Sequence, residues 1–496
     1  MDAAASAHGS QLKELGLSWC PALASDCRRT MTSQTVPVVH QLAAPPGEDS
    51  DKTNKLYAAS LIFSEEGSEP AETVSFEVVT DSDDEDESSN APIMTGTMCR
   101  QKSVQFAALC MAVYLAGWND ALIGPLIPRL QEVYHVGYTT VSLVFIMSSL
   151  GYISGASAYV YLTDRFGFGL MVVVASIFVA ISTCIQASAP PFPVFIVASF
   201  SIGSACMFLD GGSTAFVAGM ADDTAVKLSI MYTAYGIAAT CAPLVSARFA
   251  QLSSWSSVFL ATVGFAVTTA ILQVLAFKFK SQADCLKEIG QRRVLENTED
   301  SQNVISKYKR VFRLPTVHLM AFFLFIHVGI EVTISGWIVT FMTERHGGPY
   351  SGYISSGFWA GSTIGRLALI PLTKKLGEWR ALRLYILIAV GLELTMWLVS
   401  SFTINAAAVV LIGFVFGPIY ATVMAHTGHI LPPDLIGGAI SWIAILTSAG
   451  SAVFPFMAGA VASRASLDSL PLLLVMMEGL MLVIWAFVPQ HRPKLT

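Results

Sequence analysis

The chain has 496 residues, 53% hydrophobic and only 13% charged, with a net charge of −6. A soluble chain of this length would form several domains carrying about 25% charged residues, so these figures exclude ordinary soluble domains and leave a polytopic membrane protein. The eight cysteines are scattered with no CxxC pair, which argues against a disulfide framework or a zinc module.

Residues 1–102 carry 17 acidic and 7 basic side chains, and the remaining residues carry 18 acidic and 22 basic. The acidity therefore belongs to the N-terminal segment, where Asp81-Ser82-Asp83-Asp84-Glu85-Asp86-Glu87 forms a continuous run. Like charges in blocks repel and stay solvated, so 1–102 reads as a disordered acidic tail. The serines beside the run are candidate phosphorylation sites. No apolar signal-peptide core follows Met1, so the first spanning helix is expected to insert as its own signal.

From about residue 103 to 489, apolar stretches of spanning length recur about twelve times. They fall near 104–127, 139–161, 168–188, 193–219, 227–250, 256–277, 316–342, 351–373, 381–401, 406–426, 437–461 and 470–488. The long charged stretch 278–314 separates six spans from six. The sequence thus predicts an all-α membrane protein of two six-helix halves, 103–277 and 315–489, joined by the linker 278–314 and ending in a short tail, 490–496. With the N-terminus cytoplasmic, 19 Lys and Arg fall on the cytoplasmic side and four on the other, which places both termini and the linker in the cytoplasm. The halves align at an offset near 211, with Asp120 opposite Glu331, Asp164 opposite Lys374, Asp210 opposite Tyr420 and Pro243 opposite Pro455. Such a repeat suits a carrier whose halves swing about a site between them.

An ionisable group at the centre of a span costs about 3 kcal/mol on insertion scales and marks a functional position by default. Asp120 in the first span, Asp210 in the fourth and Glu331 in the seventh are the leading candidates, since these spans line the cavity of six-plus-six carriers. A desolvated carboxylate can bind and release a proton near neutral pH or accept a hydrogen bond from a sugar hydroxyl. Trp118 and Trp337 stand beside two of them and are expected to stack on the apolar face of a pyranose. Asn119 beside Asp120, and Tyr420 opposite Asp210, complete the expected substrate set. Arg366 either pairs with a carboxylate across the cavity or snorkels to the surface. Glu393 and Glu478, on peripheral spans, and His318, His327, His426 and His429 carry no clustered pattern. Asp164-Arg165, at the turn between the second and third spans, suit a cytoplasmic latch that holds the outward-open state. No phosphate-binding loop, zinc motif, nucleophile–base constellation or nucleic-acid-binding stripe is found, so neither an enzyme, a cofactor, a metal nor a nucleic-acid partner is expected.

These residues resemble those of the major facilitator superfamily, and within it the fucose permease-like branch of fucose/galactose/glucose:proton symporters, including fungal members. Asp164-Arg165-Phe166-Gly167 is similar to the general loop motif, with Val160 where glycine is usual and Phe168-Gly169 replacing a basic pair. Asn119-Asp120 and Leu209-Asp210-Gly211-Gly212 resemble the branch's first- and fourth-helix acidic motifs, the latter with Asp where Glu is common. Gly329-Ile330-Glu331 and Gly336-Trp337 resemble its seventh-helix pattern. The resemblance implies a monomeric plasma-membrane carrier that takes up a sugar or similar small polar solute with protons, Asp120 binding the substrate and Asp210 carrying the proton. An exporter of hydrophobic metabolites by proton antiport, on the same fold, is the alternative, and a sensor that signals through the acidic tail is a third reading.

Overall fold

The computed structural model describes residues 96–220, 224–289, 309–347, 351–431 and 433–490, all within one compact unit, Gly96–Thr496. The acidic run, the middle of the linker and the C-terminal tail expected at 490–496, apart from its first residue, lie outside them. Among the described residues the chain is helical and contains no strand. Besides the single turn Tyr138–Val141, the helices are α1 (Gly96–Leu122), α2 (Ile127–Tyr134), α3 (Leu143–Phe166), α4 (Phe168–Ala187), α5 (Phe192–Ala218), α6 (Thr224–Ala250), α7 (Val258–Phe277), α8 (Gln282–Glu288), α9 (Pro315–His346), α10 (Ile354–Ala368), α11 (Ile370–Leu376), α12 (Glu378–Leu398), α13 (Phe402–Phe416), α14 (Ile419–Ile430), α15 (Pro433–Ala465) and α16 (Leu470–Ala486). Among the described residues, eleven helical stretches are long and apolar enough to cross a membrane.

The expected eighth span supplies the difference from twelve. It is realised as α10 and α11, which meet at Leu369 just before Pro371. Proline lacks the N–H that the helical ladder needs and crowds the carbonyl four residues back. Pro125 and Pro418 interrupt the first and tenth spans in the same way, after α1 and between α13 and α14.

The repeat expected from the sequence is built into the packing. Within the N-terminal half α1 packs on α6, α3 on α5 and α4 on α7; within the C-terminal half α9 packs on α15, α10 on α13 and α12 on α16. A Cβ at Gly151 or Gly203 would overlap the carbonyl of Phe200 or Ser148, and one at Gly361 or Gly413 would overlap that of Val410 or Phe358. The same close approach therefore joins α3 to α5 and α10 to α13, at equivalent positions, because only glycine lets the backbones meet. The tight turns repeat as well. Gly167 (φ 86°, ψ 149°) links α3 to α4, and Gly377 (φ 79°, ψ 147°) links α11 to α12, a conformation that glycine adopts without the strain a side chain brings.

Short α8 docks beneath the N-terminal half. The Ser281 hydroxyl caps it by accepting from the Asp284 N–H, the Gly169 N–H donates to the Lys280 carbonyl at 2.9 Å, and the Gln282 amide reaches the Ala215 carbonyl at 3.5 Å. Burial and neighbouring Glu288 push the Cys285 thiol up to about 12, so this cysteine remains a protonated packing group.

Arg165, Lys278, Lys280, Lys374, Lys375, Arg380 and Arg383 lie at the end of the bundle where α9 begins, here called the basic end. The halves are stitched together at the opposite, far end. The Tyr138 hydroxyl donates to Glu344 Oε1 at 2.5 Å, the Thr139 N–H donates to Ser463 Oγ at 3.2 Å, and Ser149 Oγ meets Ser451 Oγ at 3.0 Å. Glycines bring the surfaces together there. Gly124 abuts the Ser335 carbonyl, Gly336 the Phe145 ring, and Gly459 sits under Ser142 and Trp337.

Candidate functional site

At mid-depth, four helices from the two halves bring charged groups to one place. The Tyr235 hydroxyl of α6 donates to Asp120 Oδ2 of α1 at 2.7 Å. Asp210 of α5 lies within electrostatic range of Asp120, and its Oδ2 accepts a long hydrogen bond, 3.5 Å, from the Tyr152 hydroxyl of α3. Its second oxygen, Oδ1, is buried with no donor. From the C-terminal half, Glu331 of α9 lies within range of Asp120 and of Arg366 on α10. Arg366 crosses the seam, its guanidinium donating to the Tyr232 carbonyl of α6 at 3.4 Å. Tyr420 of α14, 37% exposed, lies within range of both Asp210 and Glu331.

Asp120 is exposed to solvent although it lies deep in the bundle beneath the far-end seal. The cleft that reaches it therefore opens toward the basic end. Its local frame explains the pairing with Tyr235. Gly117, one turn before Asp120, has no side chain, and a Cβ there would stand 2.6 Å from the Tyr235 carbonyl. The missing side chain lets α1 and α6 approach until the tyrosine hydroxyl reaches the carboxylate. Across the seam, the Tyr235 ring meets Trp359 edge-on at 6.1 Å, and the Trp359 indole N–H is fixed by Ser335 Oγ at 2.9 Å.

Of the residues singled out by sequence, Asp120, Asp210, Glu331, Arg366 and Tyr420 come together here. Asn119 turns back on its own helix, its amide donating to the Leu115 carbonyl at 2.9 Å. Trp118 and Trp337 depart from the stacking role expected of them. The Trp118 indole is buried against α7, donating to Thr262 Oγ1 at 3.0 Å with its ring edge-on to Phe265. Trp337 is fully buried in the far-end seal, donating to the Pro455 carbonyl at 2.9 Å and packing beside Tyr138 and Phe145. Each indole needs a hydrogen-bond partner once buried, and each finds it away from the cleft.

Asp164 and Arg165 are exposed at the basic end, where Arg165 donates to the Tyr161 hydroxyl of its own helix at 2.7 Å. The histidines are engaged separately. His426 and His429 flank Glu378 at 2.9 and 3.2 Å, His318 accepts from the Trp442 indole, and buried His327 stacks on Phe416 at 5.0 Å. Among the described residues, no group of His, Cys, Asp and Glu is arranged to hold a metal ion.

The residues that charge-based reading missed are the tyrosines. Tyr152, Tyr232 and Tyr235 turn hydroxyls toward the acidic pair, and Thr214 Oγ1 holds the Tyr232 hydroxyl at 2.9 Å. Tyr232 and Tyr235 sit three residues apart on one helical face, which is the signal that would have found them.

Two repeated six-helix halves with a polar, solvent-reached centre between them define a membrane carrier. The chain belongs to the Major Facilitator Superfamily, whose family model matches residues 109–455. It is 25% identical over 409 residues to "Bypass of stop codon protein 6" of Saccharomyces cerevisiae, covering 77% of this chain and 82% of that one. It is 22% identical over 386 residues to a "Glucose/galactose transporter" of Brucella abortus, covering 75% of this chain and 91% of the relative. Among solved structures, it matches a bacterial homolog of the human lysosomal transporter Spinster in an inward-facing conformation, with a TM-score of 0.61 at 12% identity over 78% of this chain and 96% of that chain. The protein is thus a multi-pass membrane transporter and not an enzyme.

Proposed function

We propose that the protein takes up a sugar, or a similar small polar solute, together with protons by alternating access. The carrying observation is the meeting of Asp120 and Asp210 with Glu331 and Arg366 at one accessible point between the halves. Asp120 is the substrate acceptor. Its Oδ2 is oriented by Tyr235, and the cleft leaves the carboxylate open to solvent. Asp210 is the proton carrier, since its Oδ1 is buried with no donor and a proton satisfies an oxygen that is otherwise costly to leave unpaired. Glu331, Arg366 and Tyr420 supply the C-terminal half's share of the substrate contacts, so that loading biases how the halves close. The sugar-transporting relative supports the substrate class.

The excess of Lys and Arg at the basic end favours the cytoplasm for that end. The structure would then be the inward-open form of a monomeric plasma-membrane carrier, with the Asp164–Arg165 latch released. The segments 1–102, 103–277, 278–314, 315–489 and 490–496 would serve as tail, first half, linker, second half and terminal tail. Uptake of a hexose and pentose panel into proteoliposomes, with and without an inwardly acidic-to-neutral pH gradient, tests the reading. A sugar driven by the gradient is the expected result. Uptake of amphiphilic compounds alone contradicts it. Asp120→Ala is expected to abolish sugar binding, and unchanged affinity would remove Asp120 from the site.

A further inference from the structure

Two carboxylates stand apart from the cleft. Glu393 on α12 and Glu478 on α16 are each 0% exposed within the protein, so they face neither lipid nor the transport pathway. The helices that carry them pack side by side, and Glu393 lies within electrostatic range of Glu478. All four of their carboxylate oxygens are buried without a hydrogen-bond donor.

Among the described residues, no cation compensates them. Burial and Glu393 are what act on Glu478, and burial is what acts on Glu393. The groups named next, on the surrounding helices, are turned to other partners. On α9, His346 pairs with the Asn405 amide of α13, while His327 stacks on Phe416 in the direction of Arg366. On α14, His426 and His429 hold Glu378 at the start of α12. On α12 itself, Arg383 lies over the Trp379 ring at 3.4 Å.

Two like charges cannot share a dry seam without compensation. A hard metal cation takes about six or more oxygen ligands, and this pair offers four oxygens. A proton needs two, one to bind it and one to accept from it. We propose that Glu393 and Glu478 form a second proton-binding site, a carboxyl pair in which the O–H of one donates to an oxygen of the other. Such a hydrogen bond ties α12 to α16 inside the C-terminal half. The site is closed to the cleft and is independent of the sugar and proton assignments made above.

Infrared spectroscopy of the full chain in lipid nanodiscs at neutral pH reads the carbonyl stretch of protonated carboxyl groups. Wild type is expected to show this band, and a cleft variant, Asp120→Asn/Asp210→Asn/Glu331→Gln, is expected to retain it. Adding Glu393→Gln/Glu478→Gln to the cleft variant is expected to remove it. A band untouched by the glutamine pair overturns the proposal. If the glutamine pair does not fold, the cleft variant decides, because a spectrum there without any protonated-carboxyl band also overturns it. A band that disappears when sodium replaces choline in the buffer would place a cation between the two carboxylates and likewise refute a proton site.

Discussion

The far-end seal makes a strong prediction at Gly459. A Cβ there would overlap Ser142 Oγ, stand 2.9 Å from Trp337 Cζ2 and lie 3.0 Å from the Tyr138 carbonyl. The serine can turn away, but the indole is pinned by its hydrogen bond to Pro455, and the carbonyl is backbone. Gly459→Ala therefore requires α15 to withdraw from the Tyr138–Ser142 segment that leads into α3. Overpacking of this kind costs about 1–3 kcal/mol. The clashes with Ser142 and Tyr138 exist only in the sealed form, whereas Trp337 stays beside Gly459 in both forms, so the balance should move toward the far-open form by at most about 150-fold. Thiol labelling of a single Ser463→Cys reporter reads the change, since Ser463 meets Thr139 across the closed seam. Labelling should rise in the Gly459→Ala background, and an added Ser142→Ala should restore only part of the seal. Unchanged labelling would show that the seam yields without opening and would refute the account of the seal.

Three further outcomes follow from named contacts. Tyr235→Phe removes the hydroxyl that orients Asp120, and hydrogen bonds to charged groups are worth about 1.5–3 kcal/mol. The half-saturation concentration for transport should rise by about tenfold or more, and an unchanged value would show that Asp120 needs no orientation. Gly167→Ala forces a side chain into a backbone region that costs about 1–3 kcal/mol, so it should lower the thermal unfolding temperature. Gly137→Ala, at φ −77° with nothing within 4 Å of the added carbon, should not; equal effects at the two sites would contradict the strain argument. Arg366→Ala removes the cation near Glu331 and the contact with Tyr232. It should impair transport, with Glu331→Gln in the same chain restoring part of it, and no rescue would show that the two groups do not compensate one another.

Much of this architecture is legible in the sequence, because lipid forces the signal into composition. Spanning stretches must be apolar and of fixed length, which exposes the helices, and the charged linker exposes the six-plus-six division. The repeat can be read from Asp120 and Glu331, and the packing shows its cause at Gly151 and Gly361. Asp120, Asp210 and Glu331 stand out because a carboxylate in a span is costly. The faces of the aromatic residues are another matter. Trp118 and Trp337 adjoin cleft positions in sequence, yet a helix turns by about 100° per residue, and each indole follows its hydrogen-bond partner into the packing. Tyr232 and Tyr235 give no such signal, because a hydroxyl adds little to the cost of a span. The break between α10 and α11 was written in Pro371, but Pro243 and Pro455 lie inside α6 and α15 without ending them. Tertiary packing decides which proline interrupts a helix.

The most direct measurement compares wild type and Asp210→Asn in proteoliposomes that hold the transported sugar. If Asp210 carries the proton, the variant loses accumulation driven by a pH gradient but still exchanges labelled for unlabelled sugar across the membrane. Uphill accumulation equal to that of wild type would contradict the assignment.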